Sequence, residues 1–330
     1  MKLKSAGIIG IGSYLPEKIM TNKDLEQIVD TNDEWIRTRT GIEKRRIATT
    51  QEATSDLSLE ASKKALESAN IQAEDLDLVI VATITPDMSF PSTACIVQDK
   101  LGAKNAGAFD LTAACSGFIY GISIAKQFVE AGVYKNILVV GAETMTKILD
   151  WKDRNTCVLF GDGAGAVVIS TVEEDEGIKN VTLGSDGSGG SVLNKPAGGS
   201  RMPVTHEALE NRMNYLKMDG SEVFKFAVRK MAAETKKVLE EANVDIEDID
   251  MIIPHQANIR IIEGAAKRLK VGLDKMHINL NEYGNMSAAS IPVALDEAYR
   301  KGKIKKKDKI VLVGFGAGLT WGASYIKWSI

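Results

Sequence analysis

Cysteine is scarce in this chain: three in 330 residues, at Cys95, Cys115 and Cys157. Their odd number, wide spacing and lack of any Cys-x-x-Cys pair argue against a disulfide framework or a structural zinc site, so reduced thiols and no metal are expected. Charge of one sign is missing too. Lys and Arg number 41 against 44 Asp and Glu, and a formal net charge of -3 gives neither nucleic acid nor a membrane surface a handle. No long apolar run occurs at the start. The opening MKLKSAGIIGIGSYLPEK carries two lysines and a short apolar stretch, which glycine and charge interrupt before a signal-peptide core or a membrane-spanning length is reached. A cytoplasmic location is the simplest expectation. Histidine is limited to His206, His255 and His277, which narrows the candidates for a base. With 44% hydrophobic and 26% charged residues, the remainder reads as an ordinary globular chain with a large core in one or two domains.

What is present is a duplication. Residues 63–80, KKALESANIQAEDLDLVI, match residues 236–253, KKVLEEANVDIEDIDMII, at ten of eighteen positions with a constant offset of 173. The same offset lays ILVVG at 137–141 on IVLVG at 310–314. Each copy runs from good helix formers through an Asn and an acidic turn into a short apolar run, the pattern of a helix leading into a buried strand. Strands are predicted at 77–84, 136–141, 164–170, 249–254 and 309–314, and helices near 54–69, 116–131, 222–242 and 258–269. This alternation is an α/β arrangement, with helices packed on sheets. Between the copies, GSDGSGGSVLNKPAGGS at 184–200 fits both a flexible linker and a surface loop beside a pocket. The basic run KGKIKKKDK at 301–309 reads as a solvated loop, because it is short and has no aromatic residue to stack on a base.

Residues 106–132, AGAFDLTAACSGFIYGISIAKQFVEAG, give a small-residue turn and then apolar positions at helical spacing, with Cys115 and Ser116 at the helix start. The positive end of a helix stabilises a thiolate, lowers its pKa and leaves N–H groups for an oxyanion. Taken alone, the segment favours a small core cysteine, and the other site residues are what raise Cys115 above that reading. Cys95 and Cys157 lack such a junction and are read as structural. His255 follows the repeat strand DIDMIIP, at the strand end where α/β proteins place ligands. His206 falls in a loop after Pro203, and His277 fits a satisfied polar group leading a strand. Asn285, in NEYGNMSAASIP, lies 170 residues after Cys115 and is taken as its counterpart in the second copy. An amide has no useful pKa, so Asn285 is a donor; with a neutral His255 it can hold a thioester carbonyl as negative charge develops there.

These segments resemble a known family. DTNDEWIRTRTGI at 30–42, FPSTAC at 90–95, AACSGF at 113–118, LFGDGAGA at 159–166, PHQANIRI at 254–261, YGNMSAASIP at 283–292 and GFGAGLTWG at 314–322 are similar, in order, to the β-ketoacyl-acyl carrier protein synthase III enzymes of the thiolase-like condensing superfamily. The resemblance implies a duplicated five-layered α-β-α-β-α fold, divided into halves at 1–171, with the nucleophile, and 172–330, with His255 and Asn285. It implies that Cys115 accepts a short acyl group from acyl-CoA, with acetyl-CoA the expected primer. Malonyl-acyl carrier protein then decarboxylates and attacks, giving 3-oxoacyl-acyl carrier protein, carbon dioxide and CoA. No cofactor or metal is implied.

By the same resemblance the backbone N–H groups of Cys115 and Ala317 form an oxyanion hole. The family often has glycine where Ala317 stands, which raises the question of a left-handed backbone there. Trp35 and Arg154 correspond to residues that sandwich the adenine of CoA, and Arg39 to one that meets its phosphate. Phe90, Phe224 and Phe315 are implied in the acyl pocket, Phe90 by crossing a homodimer interface. Gln256, Ala257, Asn258, Ile259 and Arg260 resemble the carrier-protein contact segment. Arg260, Lys267 and Arg268 make a basic helical stripe suited to an acidic carrier. Alternatives are a relative making polyketides or quinolones, a thiolase, which would need a second active-site cysteine, and a Cys-His-Asn hydrolase.

Overall fold

The computed structural model describes residues 5–330; the two opening lysines, Lys2 and Lys4, lie outside them. Two sheets repeat one strand order. In the first, Ser5–Tyr14, Asp162–Val172, Ile137–Thr144, Leu78–Ala82 and Gly107–Leu111 lie side by side. In the second the order is Gly177–Ser185, Thr320–Lys327, Lys309–Gly316 and Met251–Pro254. Each has a parallel pair, Leu78–Ala82 with Ile137–Thr144 or Met251–Pro254 with Lys309–Gly316, followed outward by antiparallel neighbours. Among the described strands of these two sheets, only Gly107–Leu111 has no counterpart.

The strands read as unbroken apolar runs because both of their faces are covered. Along Ile137–Thr144, Ile137 and Val139 enter the central core while Leu138 and Val140 enter an outer one. Leu312 and Val311 divide in the same way on Lys309–Gly316. Helices Gly117–Glu130 and Ser290–Arg300 contribute to that central core between the sheets, Thr54–Ala69 and Thr93–Leu101 lie outside the first sheet, and Gly220–Ala242 and Ile259–Leu269 outside the second. The result is a five-layered α-β-α-β-α body. Phe118, Ile119, Ile122, Ala125 and Val129 of Gly117–Glu130 are all fully buried, and each of the larger ones contributes roughly 1.5–3 kcal/mol relative to exposure.

The predicted elements are present with ends shifted by a few residues, and Thr54–Ala69 coincides with 54–69. Asn70 and Asn243, the Asn that closes each repeat helix, both cap in the left-handed region at φ 54 and 53. The expected pairing of Cys115 with Asn285 is corrected. Turns Ala114–Ser116 and Ser287–Ala289 lead into Gly117–Glu130 and Ser290–Arg300, and Ala114 and Ser287 share a left-handed φ of 45 and 46. The counterpart of Cys115 is therefore Ala288, at the same offset of 173 as the repeat. The offset of 170 arises only past the helix starts, because Ser290–Arg300 has 11 residues and Gly117–Glu130 has 14.

Segment 184–200 is a loop beside the cavity. Leu193–Asn194 pairs with Lys217–Met218, and Ser191 and Leu193 line the cavity wall. The basic run is pinned by buried Ile304, while Lys306, Lys307 and Lys309 pair with Glu176, Asp175 and Asp248. No helix among the described residues is long and apolar enough to cross a membrane.

Candidate active site

The two helix starts meet where strands of the opposite half end. Gly141 and Gly316 have no side chain because none fits: a Cβ on Gly141 would lie 2.3 Å from Ala288 O, and one on Gly316 2.6 Å from Cys115 N. This close approach brings Cys115, His255, Asn285, Phe315 and Gly316 to one end of a cavity of about 840 Å³, whose wall also includes Trp35, Arg39, Phe224, Ala257 and Asn258. Thr320 Oγ1 lies 3.0 Å from the carbonyls of Ala113 and Ala317, which share its one proton, and accepts from Ser116 Oγ at 2.8 Å. The Ala317 turn is thus tied to the nucleophile turn. Ala317 itself has no left-handed backbone; that conformation falls on Gly318, φ 136, so alanine is tolerated.

His255 follows Met251–Pro254 and anchors its N–H on Val313 O at 2.8 Å. Its ring is 1% exposed, stands edge-on to Phe315 at 5.3 Å, and has no protein partner on either nitrogen. Burial pulls its pKa down to about 3, so the imidazole is neutral and one N–H is available to a ligand. Asn285 Oδ1 accepts from Ser287 N at 2.9 Å, which turns Nδ2 into a donor for the cavity.

The expected lowering of the Cys115 pKa is corrected. Burial pushes the thiol up to about 12 and the Glu143 charge acts in the same direction, outweighing hydrogen bonds from Ser287 and its own N–H. Cys115 sits inside the short turn, and the long helix begins only at Gly117. At rest the sulfur is a thiol.

At the cavity mouth, the Arg39 and Arg154 guanidiniums lie 5.8 and 5.2 Å from the centre of the Trp35 indole. Arg154 also donates to Asp30 O at 3.0 Å. A planar base entering between Trp35 and Arg154 must displace the guanidinium. Phe224 is partly exposed and Phe315 buried, both on the cavity wall, whereas Phe90 is 84% exposed and does not line the cavity of its own chain.

Gln256 is corrected as a carrier contact, because it is fully buried, donates to Pro254 O and His277 O and accepts from Asn279 N. Asn258 caps Ile259–Leu269 by accepting from Arg260 N and donates to Arg39 O, so it joins the two rims of the mouth. Ile259 packs on Gly41. Arg260, Lys267 and Arg268 are exposed on that helix. Cys157 is buried in the core and Cys95 is exposed, neither in the cavity. His206 is exposed and begins the short helix His206–Glu210, not a loop, and His277 is buried beside Glu297 and Lys303. Sequence reasoning missed the buried Glu143, which accepts from Ser287 Oγ at 2.9 Å and whose charge raises the Cys115 pKa. The legible signal was a carboxylate ending the apolar strand Ile137–Thr144.

A duplicated five-layered body with cysteine, neutral histidine and asparagine at one buried end defines a thiolase-like condensing enzyme, an acyltransferase. Comparison with known proteins gives the family. Residues 109–187 match the model of 3-oxoacyl-[acyl-carrier-protein] synthase III, and residues 239–328 that of its C-terminal part. The chain is 65% identical over 325 residues to the β-ketoacyl-[acyl-carrier-protein] synthase III of Caldanaerobacter subterraneus subsp. tengcongensis, covering 98% of both chains. It is 61% identical to the enzyme of that name from Clostridioides difficile, covering 98% of this chain and 99% of that one. The crystal structure of the synthase III from Aquifex aeolicus superposes with a TM-score of 0.91 at 48% identity, covering 98% of this chain and 100% of that one. The chain belongs to the 3-oxoacyl-[acyl-carrier-protein] synthase III family.

Proposed function

We propose that this enzyme condenses an acyl-CoA primer with malonyl-acyl carrier protein, the initiating step of fatty acid synthesis, and that Cys115 carries the primer. The observation that carries this reading is the convergence of Cys115, neutral His255 and the oriented Asn285 amide at the closed end of one cavity. Deprotonated Cys115 attacks the acyl-CoA carbonyl; the oxyanion meets the N–H groups of Cys115 and Ala317, and collapse expels the CoA thiolate. Malonyl-acyl carrier protein then enters. Its thioester oxygen accepts from His255 and Asn285, so the electron pair left by departing carbon dioxide is held as an enolate. That carbon attacks the acyl-cysteine, and the Cys115 thiolate leaves. Neutral donors suit this step, because a charged acid would protonate the carbanion.

Trp35, Arg39 and Arg154 bind the nucleotide end of CoA, and Arg260, Lys267 and Arg268 meet the acidic carrier. Acetyl-CoA is the proposed primer. The active form is a cytoplasmic homodimer: the 84% exposed Phe90 needs a partner's surface, and three free cysteines fit a reducing compartment.

Incubation with acyl-CoA and malonyl-acyl carrier protein should give 3-oxoacyl-acyl carrier protein with one carbon dioxide and one CoA per turnover. Release of free acid instead would defeat the reading. Trp35→Ala should raise KM for acyl-CoA about tenfold with kcat little changed, since a lost stack is ground-state binding; steady-state kinetics decides. Arg260→Glu should raise KM for malonyl-acyl carrier protein several-fold and leave the rate of acyl adduct formation unchanged, as stopped time courses by mass spectrometry will show.

A further inference from the structure

Arg45, in the short strand Lys44–Arg46, is fully buried, and the groups that accept from its guanidinium are all uncharged: Met20 O, Asn22 Oδ1 and Val158 O. Burial pulls its pKa down to about 10, which leaves it cationic at neutral pH. A charge taken out of water without a counter-ion is costly. What a guanidinium gives in return is a rigid, planar fork of donors that can hold several elements together. Arg45 is not part of the cavity wall, so the fork acts on the elements around the cavity and not on its contents.

Its two arms reach the two sides of the cavity mouth. Nη2 donates at 2.8 Å to Val158 O, the C-terminal cap of the turn Arg154–Cys157 that carries Arg154. Nη1 donates to Asn22 Oδ1 at 2.9 Å and to Met20 O at 3.3 Å. Asn22, itself buried, donates from Nδ2 to Asp33 Oδ1 at 2.9 Å and to Ile42 O at 2.8 Å. Asp33 is the first residue of helix Asp33–Thr40, which carries Trp35 and Arg39, and Ile42 follows its cap, Gly41. One side-chain amide thus holds both ends of that helix, and one guanidinium joins it to the Arg154 turn. Leu25, Ile36, Ile42, Cys157 and Val158 belong to a single apolar cluster that packs the same elements together.

We propose that Arg45, together with Asn22, is a positioning residue for acyl-CoA: it fixes the spacing between the Trp35 helix and the Arg154 turn, between which the adenine enters. The inference rests on the proposed binding of the CoA nucleotide by Trp35 and Arg154. The Arg154 guanidinium stands 5.2 Å from the Trp35 ring centre, whereas a base stacked between them needs about 7 Å, two contacts of roughly 3.5 Å each. Arg154 makes that room by swinging its side chain away, giving up its bond to Asp30 O, while the two backbones stay where the fork holds them. The catalytic end is secured separately. Asn285 N donates to Leu159 O and Asn285 O accepts from Gly161 N, backbone bonds in which the fork takes no part. Only the aliphatic stem of Arg45 reaches this region, since a Cβ on Gly161 would lie 3.0 Å from Arg45 Cβ. Arg45→Met keeps a stem of similar length and removes the fork.

The test compares acyl donors with and without the nucleotide. Rate constants for acylation of Cys115 by acetyl-CoA and by acetyl-pantetheine are read by mass spectrometry on the intact protein. Acetyl-pantetheine ends before the nucleotide, so the ratio of the two constants reports what the cavity mouth contributes. Wild type should favour acetyl-CoA by on the order of tenfold or more, the worth of one stacked base. Arg45→Met should bring that ratio close to parity by slowing acetyl-CoA about tenfold, with acetyl-pantetheine unchanged within about twofold. Asn22→Ala keeps the bond from Arg45 to Val158 O but frees both ends of the Trp35 helix, and should lower the ratio in the same way. It decides the matter if Arg45→Met fails to fold. Equal losses with the two donors would show an arginine that only supports the fold and would overturn the proposal, as would variants that keep the wild-type ratio. A wild type acylated equally fast by both donors would instead defeat the role given to Trp35 and Arg154, and the positioning role of Arg45 with it.

Discussion

Cys115→Ala abolishes the acyl adduct and lowers condensation by on the order of 1,000-fold or more, while release of carbon dioxide from malonyl-acyl carrier protein continues. The reason lies in the division of labour at the closed end of the cavity. The sulfur is the only group there that can form a thioester, because Cys95 and Cys157 lie outside the cavity. Decarboxylation, by contrast, needs only donors for the thioester oxygen. Those are His255, with both nitrogens free of protein partners, and the Nδ2 of Asn285. A product assay beside a carbon dioxide assay separates the two half-reactions. Condensation that survives in Cys115→Ala contradicts the assignment.

The converse is expected of Asn285. Loss of one preorganised donor costs about 100- to 1,000-fold where charge develops, so Asn285→Ala should lose decarboxylation by that factor and still form the acyl adduct. Alanine also leaves the buried Ser287 N–H without its acceptor, at a cost of about 1–3 kcal/mol in stability. Asn285→Asp isolates the chemistry, because a carboxylate keeps the acceptor for Ser287 and removes the donor. Both variants should show the same defect in carbon dioxide release. If Asn285→Asp decarboxylates at the wild-type rate, the donor role is wrong.

The fold was legible where both faces of an element are buried. The runs at 78–82, 137–141 and 310–314 have apolar side chains for two cores, and the repeat of a helix, an Asn cap and a strand is written twice. Ser5–Tyr14 was harder to read. Its sequence SAGIIGIGSY looks loop-like, yet Gly10 and Gly12 are strand residues: a Cβ there would lie within 2.4 and 2.5 Å of helix Thr54–Ala69. A glycine needed for close approach and a glycine needed for a turn are the same letter.

The site was legible in its residue types and less so in its alignment. Counting residues made Asn285 the counterpart of Cys115, whereas the turns pair Cys115 with Ala288. A helix one turn longer in the first half absorbs the difference, and helix length cannot be seen in an offset alone. Gln256 carried a family resemblance but proved a buried strut, since its side chain turns inward while Arg260 of the same segment reaches the surface. Burial likewise reversed the pKa expected for Cys115, and no one-dimensional pattern reports desolvation.

The central claim is tested most directly by weighing the intact protein after brief exposure to acyl-CoA and mapping the modified peptide. The expected result is a gain of one acyl group per chain, on Cys115, with equimolar release of CoA and disappearance of the adduct when malonyl-acyl carrier protein is added. An unmodified Cys115 after exposure to acetyl-, propionyl- and branched acyl-CoA, or an adduct that malonyl-acyl carrier protein does not consume, would contradict it.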